Sequence, residues 1–158
     1  MSNLVVKIVE VTTLCYLEQN DQYLMLYRNK RKNDINGGKW IGVGGHLIEG
    51  ETIEECLLRE VYEETGLTLL SYQLRGILYF DIDGIEEKSY LFTANQFVGE
   101  LKDCDEGELH WVDKDKIKAL NLWKGDYLFL DKIVNENEYF EMELIYKMDQ
   151  LVSYKVVK

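Results

Sequence analysis

Gly45-His46-Leu47-Ile48-Glu49-Gly50-Glu51, followed at once by a predicted helix that contains Arg59-Glu60-Val61-Tyr62-Glu63-Glu64 and ends Thr65-Gly66-Leu67, decides how this chain is read. Thr52 is suited to cap that helix, and Glu54 and Glu55 to its first turn, where the helix dipole favours negative charge. Gly66 can end it in the left-handed conformation. At about 100° per residue, Ile53, Leu57, Leu58 and Val61 make one apolar stripe, and Glu60, Glu63 and Glu64 fall on a separate face. Like charges at i, i+4 destabilise a helix unless something offsets them. A hard divalent cation does so, and magnesium takes one or two carboxylates plus substrate phosphates. The plain alternative is a solvated acidic face, which is what most charge runs are.

The flanking glycines and the spacing favour the metal. Gly45 is followed by five residues and Glu51, then by seven residues and Arg59-Glu60-Val61-x-Glu63-Glu64-x-Gly66-Leu67. This pattern resembles the signature of the Nudix hydrolases, the family that includes MutT, at all nine fixed positions. The resemblance implies cleavage of a nucleoside diphosphate linked to another group, by water attacking a phosphorus with divalent cations neutralising the phosphates. It implies Mg²⁺, with Mn²⁺ able to substitute. Glu60 and Glu64 would be metal ligands and Glu63 a third, with the Gly44 carbonyl completing the site. Arg59 would orient a catalytic glutamate, and Glu60 is also the family's frequent general base. Gly45, Glu51 and Gly66 would be structural parts of the motif.

At 158 residues the chain is expected to be one domain. Cys15, Cys56 and Cys104 are scattered with no CxxC pair, so reduced thiols and a cytoplasmic location are expected. Cys56, near the carboxylates, reads as a small core residue. Met1 to Glu10 shows no export signal, and no apolar run is long enough to span a membrane. A net charge of −11 argues against binding duplex nucleic acid but not against a small nucleotide whose charge a metal offsets. A homodimer is left open.

With no proline, turns must rest on Gly, Asn and Asp. Leu4 to Leu17 and Tyr23 to Arg28 read as strands around a turn at Gln19-Asn20-Asp21. A polar stretch, 29–39, precedes a short strand, Trp40 to Val43, and the helix spans about Thr52 to Thr65. Thr68 to Asp83 holds one or two strands with Gly76 a candidate bulge, and Asp83-Gly84 a hairpin turn. Lys88 to Val98 and Leu109 to Val112 read as strands, Lys114 to Leu120 as a short helix, and Gly125 to Asn135 as a second main helix. Glu138 to Lys147 and Leu151 to Val157 form a closing hairpin. The expected fold class is α+β, a Nudix-type α/β/α sandwich with a mixed β-sheet.

Outside the box, the family often carries a further glutamate that reaches the metal or the water, and Glu106 is chosen by its distance from Trp111. Arg28, Lys30, Arg31, Lys32 and Lys39 cluster before the box. Arg28 and Lys39 are expected to bind substrate phosphates, as is His46 after the double glycine. His110 reads as structural. Trp123 offers a face for a base and Asp126 a group for its edge. Trp123-Lys124-Gly125-Asp126 resembles the Trp-x-x-Asp segment of the oxidised purine nucleoside triphosphatases within the family. Two departures stand out: Ile41 where that branch has Asn after the Trp, and Gly125-Asp126 where it has paired acids. The reading is a Mg²⁺-dependent nucleoside triphosphate pyrophosphohydrolase, with 8-oxo-dGTP as leading substrate. The alternatives are ADP-ribose, a dinucleoside polyphosphate or a capped RNA end as substrate, or a non-catalytic nucleotide-binding domain.

Overall fold

A computed structural model describes residues 9–158. Strands β1 (Val9–Gln19) and β2 (Gln22–Arg28) turn at Asn20-Asp21, whose φ values of 50° and 60° make a tight two-residue hairpin of the kind Asn and Asp tolerate. The part of the expected first strand before Val9 lies outside the described residues. Next come β3 (Trp40–Ile41), β4 (Val43–His46) and helix α1 (Ile53–Thr65). A long hairpin follows, β5 (Leu67–Ile82) and β6 (Ile85–Gly99), turning at Asp83-Gly84 as expected. β5 is one strand rather than two. Its register against β6 shifts three times, the last shift ending at Gly76, where a Cβ would stand 2.1 Å from the Phe140 carbonyl oxygen. After β7 (Gly107–Asp113) the expected short helix is a 3-10 turn, Lys114–Ala119. Helix α2 (Lys124–Asn135) and the hairpin of β8 (Phe140–Lys147) and β9 (Gln150–Val156) close the described chain.

The strands form a mixed sheet in the order β3-β2-β1-β6-β5-β8-β9, with β4 pairing β1 and β7 pairing β2. β1–β6 and β5–β8 are parallel and the other pairs antiparallel. Both faces of its centre are covered, which is why β1 and β2 read as nearly continuous apolar runs. Cys15, Leu17, Leu24 and Leu26 pack with Leu57 and Val61 of α1. Their alternates Tyr16, Tyr23 and Met25 pack with Phe129, Leu130 and Ile133 of α2. The α+β sandwich with a mixed sheet is therefore what the chain adopts. No helix among the described residues is long and apolar enough to cross a membrane.

The face of α1 differs from the helical-wheel reading. Leu58 is exposed, and Cys56 takes the buried place beside Leu57 and Val61. Glu64 is buried too: it lies two turns beyond Leu57, in line with the packing stripe and not on a separate acidic face. The free thiols of Cys15, Cys56 and Cys104 are all buried, so Cys56 is the core residue its size suggests.

Candidate active site

The start of α1 is fixed by a capping box. Thr52 Oγ1 accepts from Glu55 N at 3.1 Å, and Glu55 Oε1 accepts from Thr52 N at 3.1 Å. Gly66, at φ 80°, ends the helix. About two turns inside, Arg59 organises the loop. Its Nε and Nη2 donate to the two oxygens of Glu51 at 2.6 and 3.0 Å, its Nη2 also to the His46 carbonyl at 3.0 Å, and its Nη1 to Glu60 at 2.8 Å and Glu63 at 3.2 Å. The bidentate guanidinium holds the Glu51 carboxyl down at about pKa 2. Glu51 is thus a brace, and Arg59 is placed to orient Glu60.

The two glycines lie against carboxylates. A Cβ on Gly45 would stand 2.5 Å from the Glu60 carboxyl carbon, so a side chain there would push the Glu60 carboxylate aside. Gly44 N donates to Glu64 Oε2 at 3.0 Å. Burial pushes the Glu64 carboxyl well above the usual range; the Gly44 N–H opposes this, and the neighbouring Glu106 and Glu60 carboxylates add to it. Glu106 arrives from the loop before β7, held by Arg28 Nη1 at 2.9 Å and Arg31 Nη2 at 3.2 Å. Glu60 and Glu106 therefore both lie near enough to act on the Glu64 carboxyl, while the Glu63 side chain is 57% exposed at the rim. An all-oxygen set with surplus negative charge suits a hard divalent cation such as Mg²⁺ or Mn²⁺.

Each of the cations expected to hold phosphate has a protein partner. Arg28 spans Asp34 (2.8 Å) and Glu106, with only 12% of its side chain exposed. Lys39 Nζ lies 4.8 Å from the centre of the Trp123 ring. His46 Nε2 is 3.1 Å from Glu10, and these two with Glu87 bring their ligand atoms within 4.8 Å of one another. In so acidic a chain each cation finds a carboxylate or an aromatic face nearby, which position along the sequence does not reveal. His110 rests on Trp40, ring centres 5.5 Å apart.

A second region forms where α2 begins. Trp123 precedes the helix and Asp126 lies in its first turn. Trp123 donates its Nε1–H to Asn36 Oδ1 at 2.7 Å and meets Tyr146 edge-on at 5.4 Å. It is only 9% exposed, so it is a wall of the core as well as a candidate stacking surface. Asp126 is buried, and desolvation pushes its carboxyl up to about 8 against the opposing Lys39. The hydroxyl of Tyr146 accepts from Gly125 N at 2.7 Å. The hydroxyl of Tyr16, beneath the same helix, is buried near Asp126. Gly125 has no space for a side chain, since a Cβ would stand 2.4 Å from Leu144 Cδ2 and 2.5 Å from the Tyr146 hydroxyl.

Sequence reasoning missed Tyr16, Asn36 and Tyr146. Tyr16 looks like one more apolar residue of β1, and Tyr146 like one more of β8. Asn36 had a weak signal, since it opens the Asn36-Gly37-Gly38 turn.

The NUDIX domain family model matches residues 9–133. An oxidized purine nucleoside triphosphate hydrolase of Danio rerio is 31% identical over 128 residues, 80% of this chain and 82% of that protein. The uncharacterized Nudix hydrolase YvcI of Bacillus subtilis is 30% identical over 151 residues, 91% of this chain and 92% of its own. Among solved structures, a MutT protein from Bacillus halodurans superposes with a TM-score of 0.85 at 30% identity, covering 94% of this chain and 98% of that one.

Proposed function

We propose that this chain, which belongs to the Nudix family of hydrolases, acts as one catalytic domain that hydrolyses a nucleoside triphosphate to the monophosphate and pyrophosphate, with Mg²⁺ as cofactor and an oxidised purine such as 8-oxo-dGTP as the leading substrate. The observation that carries the substrate class is Asp126. A carboxyl that keeps its proton to about pH 8, one turn along the chain from an indole, can donate as well as accept at a purine edge. The name of the Danio rerio relative points the same way.

The chemistry follows from the carboxylates. Glu60, Glu63, Glu64 and the Gly44 carbonyl would hold the metal, which supplies positive charge to the phosphates and makes the phosphorus more electrophilic. Arg59 fixes one oxygen of Glu60 and leaves the carboxylate able to take a proton from the attacking water. Glu106, fixed by Arg28, orients that water. Water adds its oxygen to phosphorus, the anhydride oxygen leaves with pyrophosphate, and the proton passes to Glu60. Trp123 and Asp126 would hold the base, leaving the phosphates to the metal that the carboxylates would hold.

The test is a phosphate-release screen with Mg²⁺ and with excess EDTA. Its panel spans canonical and oxidised purine triphosphates, ADP-ribose, a dinucleoside polyphosphate and a capped RNA end. Turnover is expected to be fastest on a purine triphosphate and to stop in EDTA. Faster turnover of ADP-ribose or of capped RNA overturns the substrate class; undiminished rates in EDTA remove the metal; binding without turnover makes the domain a nucleotide sensor.

A further inference from the structure

Between β2 and β3, residues 29–39 form a loop whose ends are pinned together: Arg28 N donates to the Lys39 carbonyl at 3.0 Å and Gly38 N to the Arg28 carbonyl at 2.8 Å. One flank is tied to the Glu106 loop, where Lys30 Nζ donates to the Cys104 carbonyl at 2.9 Å. The other is tied to the approach of α2, where Asn121 Nδ2 donates to the Gly38 carbonyl at 2.9 Å. The loop thus touches both the Glu106 loop and the Trp123 region at the start of α2, two parts of the molecule with no shared secondary structure.

The side chains inside it make a continuous hydrogen-bonded line centred on Asp34. Asp34 Oδ2 accepts from Arg28 Nε at 2.8 Å, and Arg28 Nη1 donates to Glu106 Oε2 at 2.9 Å. Asp34 Oδ1 accepts from Asn36 N at 3.0 Å, and Asn36 Oδ1 accepts from Trp123 Nε1 at 2.7 Å. Both oxygens of one carboxylate are therefore used, one toward each end. The Asp34 side chain is 7% exposed, so these charge-assisted bonds are little weakened by water.

We propose that Asp34 is a positioning residue that sets two separate parts of the site at once: the Glu106 carboxylate through Arg28, and the Trp123 indole through Asn36. This deepens the function proposed above and rests on the roles given there to Glu106 and Trp123. Asp34 touches neither nucleotide nor reacting atoms. It fixes the rotamer of Arg28 and so, together with Arg31 on the other oxygen, the orientation of the Glu106 carboxylate. Through the Asn36 backbone it fixes the amide that holds the plane of the indole. A base that seats against Trp123 and a water that is held by Glu106 are then registered against one rigid loop. Small misplacements of such groups have large kinetic cost.

The test separates the two arms by the kinetic constant that each one moves. Steady-state kinetics with Mg²⁺ use the triphosphate that the wild type turns over fastest. Arg28→Lys, which keeps charge but loses the fork, is expected to lower kcat by about 10- to 100-fold with KM nearly unchanged. Asn36→Ala is expected to raise KM about five-fold with kcat nearly unchanged. Asp34→Ala, which removes both acceptors, is expected to do both, and Asp34→Asn, which keeps an acceptor for Asn36 N, to lower kcat alone. A folded Asp34→Ala enzyme with wild-type kcat and KM overturns the proposal. So does the result that Arg28→Lys and Asn36→Ala shift the same constant by the same factor. A second readout needs no turnover. In ¹⁵N-labelled protein the Trp123 indole N–H resonance is expected to move in Asp34→Ala, although residue 34 does not bond to the ring; an unmoved resonance refutes the link. A wild type inactive on every triphosphate would refute the proposed function, and the indole resonance would still decide whether the line of bonds is real.

Discussion

Replacing Asp126 by asparagine removes a proton equilibrium that the fold holds far from its ordinary position. Burial raises the Asp126 carboxyl from 3.8 to about 8, with Lys39 opposing the shift. In the unfolded chain the same group ionises near pH 4. Between those values the native state binds more protons than the unfolded state, so its stability falls as pH rises. Each pH unit costs about 1.4 kcal/mol, which makes the loss about 4 kcal/mol by pH 7 relative to pH 4, and about 6 kcal/mol once pH passes the native value. This contribution is fully present below pH 4 and gone above about pH 8. The asparagine side chain does not titrate, so the variant carries no such loss, and it fills the same space. Thermal unfolding of both proteins at half-unit steps from pH 4 to 9 should therefore show the variant gaining on the wild type up to pH 8 and no further. In a chain of this size 1 kcal/mol is about 2–4 °C, so the gap should widen by about 10 °C between pH 4 and pH 7. The same titration predicts that the wild-type KM for a purine triphosphate rises above pH 8, as the donated hydrogen bond is lost. Melting curves that stay parallel across the range would refute a buried, protonated Asp126.

The other expectations are briefer. Glu60→Gln keeps the shape and removes the charge, and should lower kcat by at least about 10²-fold with an unchanged circular dichroism spectrum; Glu54→Gln, exposed and bonded to the Tyr72 hydroxyl at 3.0 Å, should stay near wild type, and equal behaviour of the two would undo the assignment of the carboxylates. Trp123→Ala should raise KM for purine triphosphates about ten-fold, and because the ring is also core it should cost about 3 kcal/mol of stability by urea unfolding. Trp123→Phe should keep most of that stability while losing the bond to Asn36, and a Trp123→Ala protein with wild-type KM would move base recognition elsewhere. Gly125→Ala should destabilise by about 1–3 kcal/mol, since its methyl would meet Leu144 and the Tyr146 hydroxyl; a neutral result would mean that α2 shifts freely over β8.

Several features were decided within a few residues of sequence, and these the sequence alone determined. Thr52 and Glu55 cap α1 because their partners are three residues apart, and Gly66 ends it because a left-handed residue is needed there. Asn20-Asp21 and Asp83-Gly84 turn their hairpins because those residues tolerate positive φ. The spacing from Gly45 to Leu67 places Arg59 two turns beyond Glu51, close enough to grip it, and so marks the family and the carboxylates in advance. Tertiary structure decided what depends on strand register and on chains meeting from afar. Glu64 reads as one of three acids on an open face, yet the sheet behind α1 buries it against Gly44. Arg28 reads as a free phosphate-binding cation, yet the pairing of β2 with β7 brings Glu106 to it, and a charge that can be neutralised within the fold is not left to solvent. Tyr16 looks like one more apolar residue of a strand, yet α2 sets Asp126 near its buried hydroxyl. A helix cap or a turn is a local hydrogen bond and is written where it is made. The environment of a buried carboxyl is the sum of neighbours from separate strands, and it exists only once those strands have paired.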